Sequence, residues 1–89
     1  MTDAFIYDAV RSPRGKGRPD GSLHELTSVA LSAKVLNAVK ERNGLEGHVI
    51  EDVIWGNVTQ VGEQGGCLAR SAVLASDLDE RIPGLAINR

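Results

Sequence analysis

The sequence predicts an α/β fold in which a βαβαβ run builds a parallel three-strand sheet. Three observations lead there. Short runs at residues 4–10, 53–58 and 85–87 carry apolar residues on both parities, as strands covered on both faces do. The two intervals between them each contain apolar residues at helical spacing. Clusters of glycine, proline and polar residues punctuate the joins.

In the first run Phe5, Ile6, Tyr7, Ala9 and Val10 surround a single charge, Asp8, so residues 4–10 are expected to form the first strand. Residues 11–21, RSPRGKGRPDG, read as a loop and gather Arg11, Arg14, Lys16 and Arg18 within eight positions. Such a cluster could hold a phosphate, but the preferred reading is a solvated loop tip, because no aromatic residue is interleaved and no helix N-terminus directly follows. Gly15 and Gly17 do not complete a dinucleotide fingerprint, since Asp20 stands where a third glycine is needed, and the Gly-Lys-Ser/Thr ending of a phosphate loop is missing.

Ser22 and Glu25 have the spacing of a capping box, and Thr27 is a second candidate cap. The helix that follows should run to about Arg42 and stop at Asn43-Gly44. Leu26, Val29, Ala30, Ala33 and Leu36 form one apolar stripe, and Leu31, Val35, Ala38 and Val39 a second, so this helix should touch more than one sheet face. His24 reads as a surface or cap residue without a catalytic partner, and His48, in the connection 45–51, as exposed.

Residues 52–76 hold a strand, a glycine-rich turn and a helix in one uninterrupted read. Val53, Ile54, Trp55 and Val58 supply the strand, Gly62, Gly65 and Gly66 the turn, and Leu68, Ala69, Ala72, Val73 and Ala75 the helix. Residues 77–83 are polar and end in a Pro83-Gly84 turn, after which Leu85, Ala86 and Ile87 open the third strand. Right-handed crossovers with strands added in order 1-2-3 put both helices on one face of the sheet. The other face then has no cover within this chain, and further chain or a partner should supply it.

Eighty-nine residues can make one small domain, and 1–89, with no internal boundary and one sheet face uncovered, is expected to be part of a larger domain. An apolar content of 42% with 25% charged residues argues against a disordered or low-complexity chain. A net charge of -2 gives no electrostatic reason to expect nucleic acid or an anionic membrane. One cysteine excludes an internal disulfide, and with two distant histidines it offers no metal-ligand spacing. No signal peptide and no membrane-spanning run is evident, so a cytoplasmic location is expected.

Cys67 follows two glycines at the start of a helix, a position where amides and dipole can lower a thiol pKa. It is nonetheless read as a small packing residue, because no histidine or other activating group lies near it in sequence. Arg70, on the first turn of that helix, is expected to bind a carboxylate or carbonyl of the turn, or to reach across a subunit boundary.

Taken together the pieces resemble the N-terminal part of the thiolase family over essentially the whole chain. AFIYDAVRSPRGKG looks like its first strand and R-S/T-P-x-G turn, GNVTQVGEQGGCLAR like its second strand and entry to its second helix, and PGLAINR like its third strand. The VGEQG turn and the NR ending look like acetyl-CoA acyltransferases of fatty-acid or related β-oxidation. Departures are Ser28, where proline is frequent, and Asp77, where glycine often ends the second helix.

The resemblance implies ping-pong acyl transfer to coenzyme A, with 3-ketoacyl-CoA thiolysis or acetyl-CoA condensation as the reaction. Acyl-CoA and CoA are then substrates, and this segment binds no cofactor or metal of its own. In the family the nucleophilic cysteine follows the Asn-Arg pair by two positions, and the acid/base histidine and second cysteine lie much further on. The resemblance therefore assigns no catalytic residue here and expects the 89 residues alone to be inactive. It also implies a homodimer or tetramer, with Gln64, Arg70, Leu85, Ala86, Ile87 and Asn88 at or near the interface. Two other readings stand beside it: a non-catalytic α/β module that docks through its uncovered sheet face, and a small phosphate-binding protein using the Arg11 to Arg18 loop.

Overall fold

Two parallel strands joined by one helix form the part of the molecule on which the rest is hung. In the computed structural model, which describes residues 2–46 and 49–89, β1 is Val53–Gly56 and β2 is Gly84–Ile87. Val53 pairs with Gly84, Ile54 with Leu85, Trp55 with Ala86 and Gly56 with Ile87. Backbone bonds at both ends lengthen the ladder: Val53 N–H donates to the Pro83 carbonyl at 3.1 Å and Asn57 N–H to the Ile87 carbonyl at 2.9 Å.

The connection between the strands carries helix α2, Leu68–Ala75, whose Leu68, Ala69, Ala72 and Val73 are buried. Helix α1, Ser28–Asn43, precedes β1 and packs beside α2. The core comprises Val53 from β1, Ala69 and Val73 from α2, and Leu78 and Ile82 from the segment after α2, with Leu36, Ile50, Trp55 and Cys67 packed against it. Leu78 and Ile82 were hidden in the sequence inside a run that reads as polar; the chain folds them inward and leaves Asp77, Glu80 and Arg81 outside.

One contact fixes how close α2 lies to the sheet. A Cβ on Gly84 would stand 2.6 Å from the Arg70 nitrogen and 2.8 Å from the Ala69 carbonyl carbon. Backbone therefore meets backbone where α2 crosses β2, and only glycine leaves room.

Helix α1 begins at the second of the two expected caps. Thr27 Oγ1 accepts from Ala30 N–H at 3.1 Å, whereas residues 22–25 form turns and no capping box at Ser22 and Glu25. At the other end Gly44, in the left-handed region, closes the helix as expected, with Lys40 and Arg42 in a last turn whose dipole favours cations. Its two apolar stripes meet different neighbours. Leu36 reaches the core, while Leu31, Val35 and Ala38 line a groove with Val10, Pro13, Leu23 and Leu26. Lys40 Nζ donates to the Asp77 carbonyl at 2.8 Å and Asp77 N–H donates to Asn37 Oδ1 at 2.7 Å, tying α1 to the end of α2.

The expected first strand is not formed. Residues 4–10 are irregular, with Phe5, Ile6 and Tyr7 82%, 94% and 91% exposed, and the sheet has two strands in place of three. The cause is the missing ladder: no backbone N–H or C=O of residues 4–10 is bonded to β1 or β2, and an extended run becomes a strand only when those groups find partners. The segment is fastened elsewhere, through Asp8. Its carboxylate accepts from Asn43 Nδ2 at 2.8 Å and from Ala9 N–H at 2.8 Å, and lies 3.3 Å from Arg42 Nε at the C-terminal end of α1. Those contacts, the Asn43 bond foremost, hold the Asp8 carboxyl below its ordinary pKa.

The uncovered face is as expected for the strands that form. Ile54, Leu85 and Ile87 point away from the helices and are 60%, 51% and 43% exposed. His48 lies outside the described residues. Among the described residues no helix is long and apolar enough to cross a membrane.

Candidate functional site

The turn between β1 and α2 is a densely hydrogen-bonded polar region built around Gln64. As β1 ends, Asn57 is drawn inward to 5% exposure by its ladder bond to β2, which leaves a buried amide needing partners. Gln64, at the end of the short 3-10 turn Gly62–Gln64, supplies them. Asn57 Nδ2 donates to the Gln64 carbonyl at 2.8 Å, and Gln64 Nε2 donates to Asn57 Oδ1 at 3.1 Å. The same Nε2 donates to the Thr59 carbonyl at 2.7 Å, and Gln64 Oε1 accepts from Ser28 Oγ at 2.7 Å.

Ser28 opens α1, and one turn later the buried Ser32 accepts a 3.2 Å bond from Trp55 Nε1. Two polar bonds, four residues apart on one helix face, thus pin α1 to the strand and to its turn. Every buried side-chain nitrogen and oxygen among the described residues has a partner, so the network is closed. Asn57, Ser28 and Ser32 escaped the sequence reading. The only local signal was an asparagine inside the apolar run 53–58, just ahead of a glycine-rich turn.

Beyond the turn, Cys67 caps α2 without a side-chain bond to the helix; its thiol instead donates to the Gly84 carbonyl at 3.5 Å. The residue is half-buried against the core, consistent with a packing role. Arg70 folds back over the end of the same crossover, where its Nη1 donates to the carbonyls of Glu80 at 2.6 Å and Ile82 at 2.8 Å. Next to it the Arg81 guanidinium grips Asp79 at 2.7 Å and lowers that carboxyl to a pKa of about 2.

The six residues expected at an interface divide into two groups. Gln64 and Arg70 make their polar contacts within the chain. Leu85 and Ile87 lie on the bare sheet face, Ala86 is half-buried on the helix side, and Asn88 is exposed just past the strand. Among the described residues the edge of β2 away from β1 has no strand beside it.

The basic loop is separate from all of this. Lys16, Arg18 and His24 line an open concavity with Gly15, Gly17, Pro19 and Leu23. Among the described residues no group of three or more His, Cys, Asp or Glu side chains could hold a metal ion.

Sequence comparison agrees with this arrangement. The family described as "Thiolase, N-terminal domain" matches residues 4–89. The 3-ketoacyl-CoA thiolase of Acinetobacter baylyi is 38% identical over 87 residues, covering 98% of this chain and 22% of the relative. That of Yersinia pestis is 38% identical over 90 residues, with 100% of this chain and 23% of the relative, and that of Serratia proteamaculans is 37% identical over the same shares. The chain thus spans less than a quarter of the length of these relatives. The match spans the first strand, the Gln64 turn, α2 and the second strand, and on that ground the chain belongs to the thiolase family, matching part of its N-terminal domain.

Proposed function

We propose that this chain serves as the opening segment of a thiolase-type acyltransferase acting on acyl-CoA and CoA in fatty-acid or related β-oxidation. The observation that carries the reading is the similarity to 3-ketoacyl-CoA thiolases over 98% or more of the chain. In such an enzyme a cysteine thiolate takes the acyl group and passes it to a second thiol or carbanion. Residues 1–89 form a single partial domain that supplies scaffold to this chemistry and holds neither nucleophile nor acid/base group. Cys67 fits that role, since its thiol is engaged with the Gly84 carbonyl between helix and strand.

The bare face and free edge of β2 fit a place beside a second copy of the chain. Leu85, Ile87 and Asn88 would meet the partner there, with Gln64, Arg70 and Ala86 near the boundary, in a homodimer or tetramer in the cytoplasm. The test is an assay of the natural gene product for CoA-dependent cleavage of a 3-ketoacyl-CoA. Turnover by the product, with none from residues 1–89 alone, is expected. A folded, dimeric product that leaves 3-ketoacyl-CoA of every chain length intact overturns the proposal.

A further inference from the structure

We propose that the loop formed by residues 14–24 binds the phosphate group of a small anion, at a site independent of acyl transfer. Four cations, Arg11, Arg14, Lys16 and Arg18, fall within eight positions, and none of their side chains has an ion pair or hydrogen bond among the described residues. Of the six cations elsewhere four are engaged, Arg42 with Asp8, Arg81 with Asp79, and Lys40 and Arg70 with backbone carbonyls, and the two that are not, Lys34 and Arg89, stand apart from one another. Asp20 and Asp8, the acids closest in sequence, pair with none of the four, Asp8 being held by Asn43 and Arg42.

The geometry of the loop gives this charge a concave setting. Gly21 N–H donates to the Arg18 carbonyl at 2.9 Å and His24 N–H to the Gly21 carbonyl at 3.1 Å, so the chain turns back on itself. A Cβ at Gly21 would collide with the Lys16 carbonyl oxygen, so the two limbs touch through backbone. The result is a concavity of about 400 Å³ bordered by Lys16, Arg18 and His24.

Backbone donors are available as well. Among the described residues the N–H groups of Gly15, Lys16, Gly17 and Arg18 make no hydrogen bond, and a Cβ on Gly17 would meet only open space. The residues that carry these free amides border the same hollow as the Lys16 ammonium and the Arg18 guanidinium, and such groups are the donors that a phosphate accepts from. The volume admits the phosphate together with part of an organic group esterified to it, so both inorganic phosphate and a phosphomonoester have the required chemistry.

Calorimetric titration of the purified protein at low salt, with inorganic phosphate and with adenosine 3′,5′-bisphosphate as probes, tests the site. Saturable binding of at least one probe is expected, weakened about tenfold or more in Lys16→Gln/Arg18→Gln by the loss of two charge-assisted contacts. The charge-matched control Lys34→Gln/Arg89→Gln should bind as the parent does, and because all four positions are exposed the variants should melt with the parent. Tighter binding of the bisphosphate identifies a phosphomonoester as ligand, and equal binding identifies the bare anion. No saturable binding of either probe, or equal binding by the loop variant, overturns the proposal. Neither outcome depends on turnover, so failure here is distinct from failure of the acyltransferase reading.

Discussion

Two apolar runs of similar composition meet opposite fates in this chain. Val53, Ile54 and Trp55 lie in a strand that anchors the core, while Phe5, Ile6 and Tyr7 lie in an irregular segment open to solvent. Hydrophobicity does not separate them. The difference is the neighbour: residues 53–56 have β2 alongside in register, and residues 4–10 have only the Asp8 tether to the end of α1. A doubly apolar run states what a strand would bury if it formed; a parallel partner decides whether it forms.

The sharpest way to break the comparison is to make the same change in both runs. Val53→Ser removes a buried side chain at 7% exposure and places a hydroxyl in the core, and it should cost about 2–4 kcal/mol. Ile6→Ser, at 94% exposure, should stay within about 0.5 kcal/mol. Denaturant unfolding of the two variants measures both. Equal losses would mean that residues 4–10 are packed in solution and that the contrast between the runs is false.

A smaller effect separates the strand from its turn. Gln64→Ala leaves Asn57 Oδ1 buried without its donor and releases Ser28, at an expected cost of about 1–3 kcal/mol. Hydrogen exchange should show the loss locally as faster exchange at the start of α1, with the β1–β2 ladder little changed. Uniform acceleration across the chain would show instead that the turn and the core open as one unit.

Least of all should come from the ion pair after α2. Asp79 is depressed to a pKa of about 2 by Arg81, and a depressed carboxyl contributes stability that is present above its unfolded value and lost as pH falls through its folded one. The pair is partly exposed, so the contribution is small. Stability of the parent should therefore fall slightly more than that of Asp79→Asn between about pH 4 and pH 2, and identical slopes would remove the pair from the account.

These contrasts explain what could be read in advance. The alternation of strands and helices, the Gly44 stop, the Thr27 cap and the bare sheet face follow from local chemistry or from counting apolar residues along a short stretch. The three-strand sheet did not follow, because pairing of residues 4–10 depends on atoms far away in sequence. The same holds for the Gln64 hub: Ser28 and Gln64 are 36 residues apart, and nothing in either neighbourhood announces the other. For Arg70 a carbonyl was one of three partners the sequence left open, and its location was not legible, since the carbonyls it binds come from the far end of the crossover and not from the turn. Family resemblance, carried by short motifs, reached further than periodicity because it reports on whole arrangements at once.

The bare contact at Gly84 has a consequence for how the layers tolerate change. Where two main chains touch directly, the gap between helix and sheet is set by a hard stop and not by the sizes of the residues around it. Exposed Leu74 and Ser71 on the far side of α2 are free to vary without moving the layer, whereas a single methyl at position 84 would act as a wedge and tilt the whole helix away from both strands.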